Sequence, residues 1–254
     1  MTFADDVGLP LLNTAYPTIL LSAATWTAIF LASFPISRAY SSSYRKLDAA
    51  KQADWCTRVT STFHAVLICY LAFQMLGIDE LKRDKVYGFT DYFLWDVGVS
   101  LYLFNLYGPS FLFHGVLCLM VFTFSMRPFL MYFGAPFLLF ELSTPFLNIN
   151  WFCDKMNITG SPLQLVNGII LMASFFGVRV VYGSYNAYDF FSTVISQRDN
   201  IAPHLIAIYG VANISLTTLN FFWFYKIVDA VRRRFVGAPA KKDASKKSKV
   251  RKEE

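Results

Sequence analysis

Five ionisable side chains capable of acid–base or ion-pair chemistry, His64, Asp96, His114, Glu141 and Arg179, sit inside stretches that otherwise read as lipid-buried helix. A charge at the bilayer centre costs roughly 2.5–3.5 kcal/mol on insertion scales and persists where it faces a polar cavity or a partner. Their spread over different segments predicts one shared interior site. His114, in Phe111-Leu112-Phe113-His114-Gly115, is the centre of the set. An imidazole there is either a satisfied packing residue or a base, nucleophile or proton carrier. Asp96, a turn deeper than Asp91 at a span mouth, is the natural carboxylate to orient it. Arg58, Ser61 and His64 follow at steps of three, so Ser61 can reach either neighbour on a helix. Arg58 itself reads as an anchor reaching the headgroups. Glu141, Pro145 and Asn148 recur at i, i+4, i+7 and predict one polar stripe. Arg179, Tyr182 and Asn186 form a second stripe, and Tyr209, Asn213, Thr217 and Asn220 a third. Each has a plain alternative as helix–helix hydrogen bonding.

The elements that must hold these residues follow from composition. Of 254 residues, 55% are hydrophobic and 16% charged. The hydrophobic residues fall in blocks of about 16 to 25, the length that crosses a bilayer as helix. The chain reads as an all-α, polytopic transmembrane bundle around a polar-lined interior tunnel. About seven spans qualify, at 17–36, 60–78, 91–107, 111–126, 128–149, 163–187 and 204–228. The connection 37–59 and the segment after 228 are both basic. The positive-inside rule puts both in the cytosol, so an even number of spans must separate them, and six fit. The N-terminus is then lumenal and the C-terminus cytosolic. The sequons at Asn157 and Asn213 fall in a cytosolic loop and in a span, so neither is expected to carry sugar.

The net charge of +6 is local: residues 232–254 hold ten Lys/Arg against three Asp/Glu, and everything before them sums to −1. Nucleic-acid binding therefore gains no support. Three regions result: 1–49, with the lumenal N-terminus, first span and start of the cytosolic loop; 50–235, the main transmembrane domain; and 236–254, a basic disordered tail. The tail ends Arg251-Lys252-Glu253-Glu254, which resembles a dilysine-type signal for endoplasmic-reticulum retrieval machinery. Cys56, Cys69, Cys118 and Cys153 show no CxxC or metal spacing and read as packed free thiols. No zinc motif, P-loop, dinucleotide fingerprint or GxSxG elbow occurs, which excludes the usual soluble-enzyme chemistries and implies no metal or resident cofactor.

Arg58-(x)2-Ser61-(x)2-His64, Asp91 with Asp96, His114, and Phe140-Glu141-Leu142-Ser143-Thr144-Pro145-Phe146-Leu147-Asn148 followed by Trp151 together resemble the TLC-domain family over roughly residues 50–235. Asn167-Gly168 and Arg179 fit its small-protein branch. The resemblance implies a helical bundle enclosing a tunnel for an acyl chain. In the ceramide-synthase branch, a tandem His-His transfers an acyl group from acyl-CoA to a sphingoid amine. Here His114 takes the first position and Gly115 the second, so one imidazole is missing. The resemblance therefore implies, first, a protein that binds or senses an acyl lipid and takes part in sphingolipid or phospholipid homeostasis. His64, Glu141, Asn148, Arg179 and Asn213 would line its cavity. The alternatives are an acyl-CoA-dependent sphingoid N-acyltransferase using His114 and Asp96, and a trafficking or translocation adaptor of the endoplasmic reticulum.

Overall fold

A computed structural model describes residues 3–6, 8–9, 12–77, 109–124 and 131–235. The predicted third span, Asp91, Asp96, and the tail with Arg251 and Lys252 lie outside the described residues. What is described is helical. The helices that build the bundle are α1 (Leu12–Tyr40), α2 (Ala49–Leu76), α3 (Pro109–Phe124), the short α4 (Gly134–Leu138), α5 (Thr144–Lys155), α6 (Pro162–Phe175), α7 (Gly183–Ser196) and α8 (Pro203–Phe235). Among the described residues, four helices are long and apolar enough to cross a membrane: Ala15–Tyr40, Ala49–Leu76, Pro162–Ser196 and Pro203–Arg233. Leu112–Val121 is a shorter apolar helix.

Local chemistry sets the ends. Asp48 caps α2 by accepting from the Lys51 backbone N–H at 2.9 Å. The Lys51 ammonium and that same N–H hold the Asp48 carboxyl below its usual range. α2 also begins earlier than hydropathy predicts, because 49–59 is an amphipathic approach that buries Ala53, Trp55 and Cys56. Ser161 caps α6 by accepting from Gln164 N–H, while Gln164 Oε1 accepts from Gly160 N–H at 2.7 Å. Gly160 has a φ of 80°, the left-handed turn that lets α5 fold back into α6.

The predicted fifth span is the element that departs most from regularity. It runs as a 3₁₀ turn (Met131–Phe133), α4, a second 3₁₀ turn (Leu139–Ser143) and α5. Pro136 and Pro145 remove two backbone donors from this path, and the tighter turns take up the mismatch. The predicted sixth span is longer than expected, with a π-helical segment (Phe176–Tyr182) joining α6 to α7.

Packing orders the helices. On α2, the small residues Ala53, Cys56, Thr60, Ala65, Cys69 and Ala72 are buried, which lets the neighbouring backbones approach closely. Trp26 of α1 meets His64 of α2 edge-on at 5.1 Å between ring centres. Tyr44, Trp55 and Cys56 pack with Trp151 and Phe152 at one end. Burial raises the Tyr44 phenol pKa, and its contact with the Cys56 thiol adds to the rise. Phe133, Phe190, Val194, Leu205 and Tyr209 close the opposite end. α8 runs antiparallel to α6 and α7, with Phe224 over Phe175 and Asn220 at Arg179. α3 runs antiparallel to α8, with His114 at Trp223 and Val121 at Tyr209. Arg38, Arg45, Lys51, Arg58, Lys155 and Arg232 consequently come to one end of the bundle. The described chain leaves α2 at the other end and re-enters at Pro109 on the basic end.

Candidate functional site

Arg179 stands in the middle of the π-helical segment. A π turn widens the backbone by one residue and recurs at functional positions. Here it directs a guanidinium, 8% exposed, toward three other elements. Its Nε donates to the Phe140 carbonyl at 2.9 Å and to Ser143 Oγ at 3.0 Å. Nη1 donates to Asn220 Oδ1 at 3.4 Å and Nη2 to Thr144 Oγ1 at 3.4 Å. Glu141 Oε1 lies 3.5 Å from Nη2, and its other oxygen accepts from Thr144 Oγ1 at 2.6 Å. The guanidinium also lies over the Phe175 ring at 5.1 Å. The broken helix supplies this cradle. Thr144 N–H bonds to the Glu141 carbonyl in 3₁₀ fashion, which leaves the Phe140 carbonyl for Arg179. The cluster is an ion pair in which each guanidinium nitrogen has at least one acceptor, the kind of partnering under which a charge persists at membrane depth.

His114 belongs to the same layer. Its half-buried ring packs edge-on against Trp223 at 5.3 Å, three residues along α8 from Asn220. Cys118 Sγ lies 3.7 Å from Nε2. Cys69 of α2 packs with Leu138 and Leu139 and against Val178 and Tyr182 of the π segment. Helices α2, α3 and α8, the broken segment and the π turn thus all contribute to one layer.

Asn148 lies elsewhere, which corrects the single stripe predicted with Glu141. The 3₁₀ turn changes the angular step between them, so the two residues face different neighbours. Asn148, 2% exposed, donates from Nδ2 to Ser61 Oγ and Thr62 Oγ1, both at 2.9 Å, and accepts from Arg58 Nη1 at 3.2 Å. Arg58, expected as a headgroup anchor, also has partners within the bundle. It pairs with Asp54 at 3.0 Å and lies over Trp151 at 4.7 Å, bridging α2 to α5. Asp54 was missed in the sequence, although its i, i+4 spacing to Arg58 is the signal for it. Trp26 and Trp223, the ring partners of His64 and His114, carry no such signal. His64 sits at the α1–α2 contact. Asn213, 9% exposed, lies on α8 between Tyr209 and Asn220. No cluster of three metal-ligating side chains occurs among the described residues.

Comparison with known proteins bears on this arrangement directly. The family model described as the TLC domain matches residues 54–229. This chain belongs to the TLC-domain family. The matched range takes in α2 from Asp54 onward, the Arg179 layer and α8 up to Asp229. The chain is 37% identical over 247 residues to an uncharacterized TLC domain-containing protein of Schizosaccharomyces pombe, covering 92% of this chain and 85% of that one. It is 32% identical over 217 residues to TLC domain-containing protein 4 of Xenopus tropicalis, covering 74% and 79%. It is also 35% identical over 156 residues to topoisomerase I damage affected protein 4 of Saccharomyces cerevisiae, covering 59% and 56%. No solved structure gives a significant match. Within this TLC domain, the Glu141-Leu-Ser-Thr-Pro145 element builds the 3₁₀ turn and the carboxylate that meet Arg179.

Proposed function

We propose that this TLC-domain protein binds or senses an acyl lipid within its helical bundle and takes part in membrane lipid homeostasis. The observation that carries the reading is the Arg179–Glu141 cluster. A paired charge held between three elements at membrane depth is costly to place there, and such groups mark ligand or ion paths in membrane proteins. The polar layer continues along α8 and suits the head of an amphiphile whose chain lies among the surrounding apolar helices. Mass spectrometry of lipid retained by the purified protein tests this. A retained acyl lipid whose occupancy falls in Glu141→Gln supports it; a lipid-free protein that takes up no acyl lipid refutes it.

An acyl-CoA-dependent N-acyltransferase of ceramide-synthase type is the second reading, favoured by the position of His114 beside the Arg179 layer. It predicts that His114→Ala abolishes acyl transfer in microsomes while the protein still accumulates. We place the protein in the endoplasmic-reticulum membrane with a cytosolic C-terminus. The gathering of basic residues at one end supports that orientation.

A further inference from the structure

Asn213 is a cavity candidate whose hydrogen bonding stays incomplete among the described residues. Its side chain is nine-tenths buried, and Oδ1 accepts no hydrogen bond among the described residues. Buried amides are nearly always paired, and an unanswered one calls for a water, ion or ligand group. The neighbours on its own helix face are engaged. Four residues toward the N-terminus of α8, Tyr209 donates to the Val121 carbonyl at 3.2 Å; seven residues beyond, Asn220 accepts from Arg179. Asn213 therefore lies about 10 Å along the helix from the Arg179 layer, buried on α8 between Tyr209 and Asn220.

The engaged groups also restrict the ligand's charge. Each guanidinium nitrogen of Arg179 already has an acceptor, and Glu141 balances its charge. No second buried Lys or Arg stands beside it among the described residues. A phosphate headgroup would thus enter the bundle with its charge uncompensated. A half-turn of the Asn213 amide exchanges its oxygen and nitrogen, and a hydroxyl, which both donates and accepts, answers either setting. We propose that Asn213 receives the hydroxyl of an uncharged, long-chain lipid, and that this contact selects neutral hydroxyl-bearing lipids over phosphate-bearing ones. The inference rests on the lipid-binding reading above and names the class of head that the site takes.

The test uses the full chain in detergent micelles, with native mass spectrometry reading occupancy by three probes: monooleoylglycerol, its dimethyl ether and oleoyl lysophosphatidic acid. The wild type is expected to favour monooleoylglycerol over each of the others by about tenfold, the scale of one buried hydrogen bond. Asn213→Leu should reduce the preference over the ether to below about threefold while leaving ether binding unchanged. Equal binding of alcohol and ether by the wild type overturns the proposal, as does tightest binding of the phosphate. An Asn213→Leu protein that keeps the full preference also overturns it. If Asn213→Leu does not accumulate, the wild-type comparison of alcohol with ether decides by itself. Acyl-lipid binding without discrimination sinks this inference and leaves the lipid-binding reading standing, whereas no binding of any acyl lipid sinks both.

Discussion

Removing the Glu141 carboxylate leaves the Arg179 guanidinium with neutral acceptors alone. Breaking a buried pair from one side costs more than the pair contributes, because the surviving charge stays desolvated. Glu141→Ala is therefore expected to lower stability by about 2–4 kcal/mol, and Glu141→Gln by less, since an acceptor remains for Thr144. Thermal unfolding in detergent, followed by tryptophan fluorescence, checks the order. Asn148→Leu removes hydrogen bonds to three residues of α2 but strands no isolated charge, because Arg58 keeps Asp54. Its expected cost is about 1–3 kcal/mol. A milder effect for Glu141→Ala than for Asn148→Leu would contradict the central weight given to the Arg179 cluster. His114, Glu141 and Arg179 were legible as residues because ionisable groups are rare in apolar blocks. Their assembly was not, since the partners Thr144, Ser143 and the Phe140 carbonyl are ordinary groups until the backbone bends to present them.

At the scale of elements, the π segment and the broken helix must meet at close range. A Cβ on Gly183 would stand 2.9 Å from Phe140 Cζ, on the residue whose carbonyl holds Arg179. Gly183→Ala should force that ring aside and cost about 1–3 kcal/mol. Gly168, also helical, has nothing within 4 Å of the place a methyl group would occupy. Gly168→Ala should be neutral or stabilising by up to about 1 kcal/mol. Paired melting curves separate the two, and equal behaviour would count against the close approach. Pro136 and Pro145 announced an irregular fifth span, but the sequence stripe through Glu141, Pro145 and Asn148 assumed an unbroken α-helix. The 3₁₀ turn at Leu139–Ser143 invalidates that assumption and divides the stripe between α2 and the π segment. Nothing in the pattern Phe176-Gly-Val-Arg-Val-Val-Tyr182 distinguishes a π turn from an α turn, because both present the same apolar run to hydropathy.

For the whole molecule, sidedness is the decisive property. The 37–59 connection, the Lys155–Ser161 turn and the end of α8 lie at one end of the bundle, which predicts one shared compartment for them. If that compartment is the cytosol, Asn157 carries no sugar, and an epitope after Glu254 is cleaved by protease added to intact microsomes. Glycosylated Asn157 together with a protected epitope would reverse the orientation. Along the chain, 111–126 and 204–228 anticipated α3 and α8 closely, because long apolar runs bounded by polar residues admit few alternatives in a bilayer. The extra length of α2 at its start was less visible, since Lys51, Asp54 and Arg58 lower the hydropathy of a stretch that tertiary packing completes. Gly115 keeps its significance at this scale too: this family member offers one imidazole on α3 where an acyl-transferring relative is expected to have two.

A helical, membrane-embedded chain of TLC type was readable from the residues, because apolar length and intramembrane polar residues are properties of the chain alone. Which polar residues meet depends on the three-dimensional packing. It joined Glu141 to Arg179 across 38 positions, assigned Asn148 and Arg58 to a separate bridge, and left the Asn213 carbonyl oxygen without a donor among the described residues. The physical reason is that a hydrogen bond depends on direction as well as proximity. Direction here is set by a 3₁₀ turn and a π turn that no periodicity encodes.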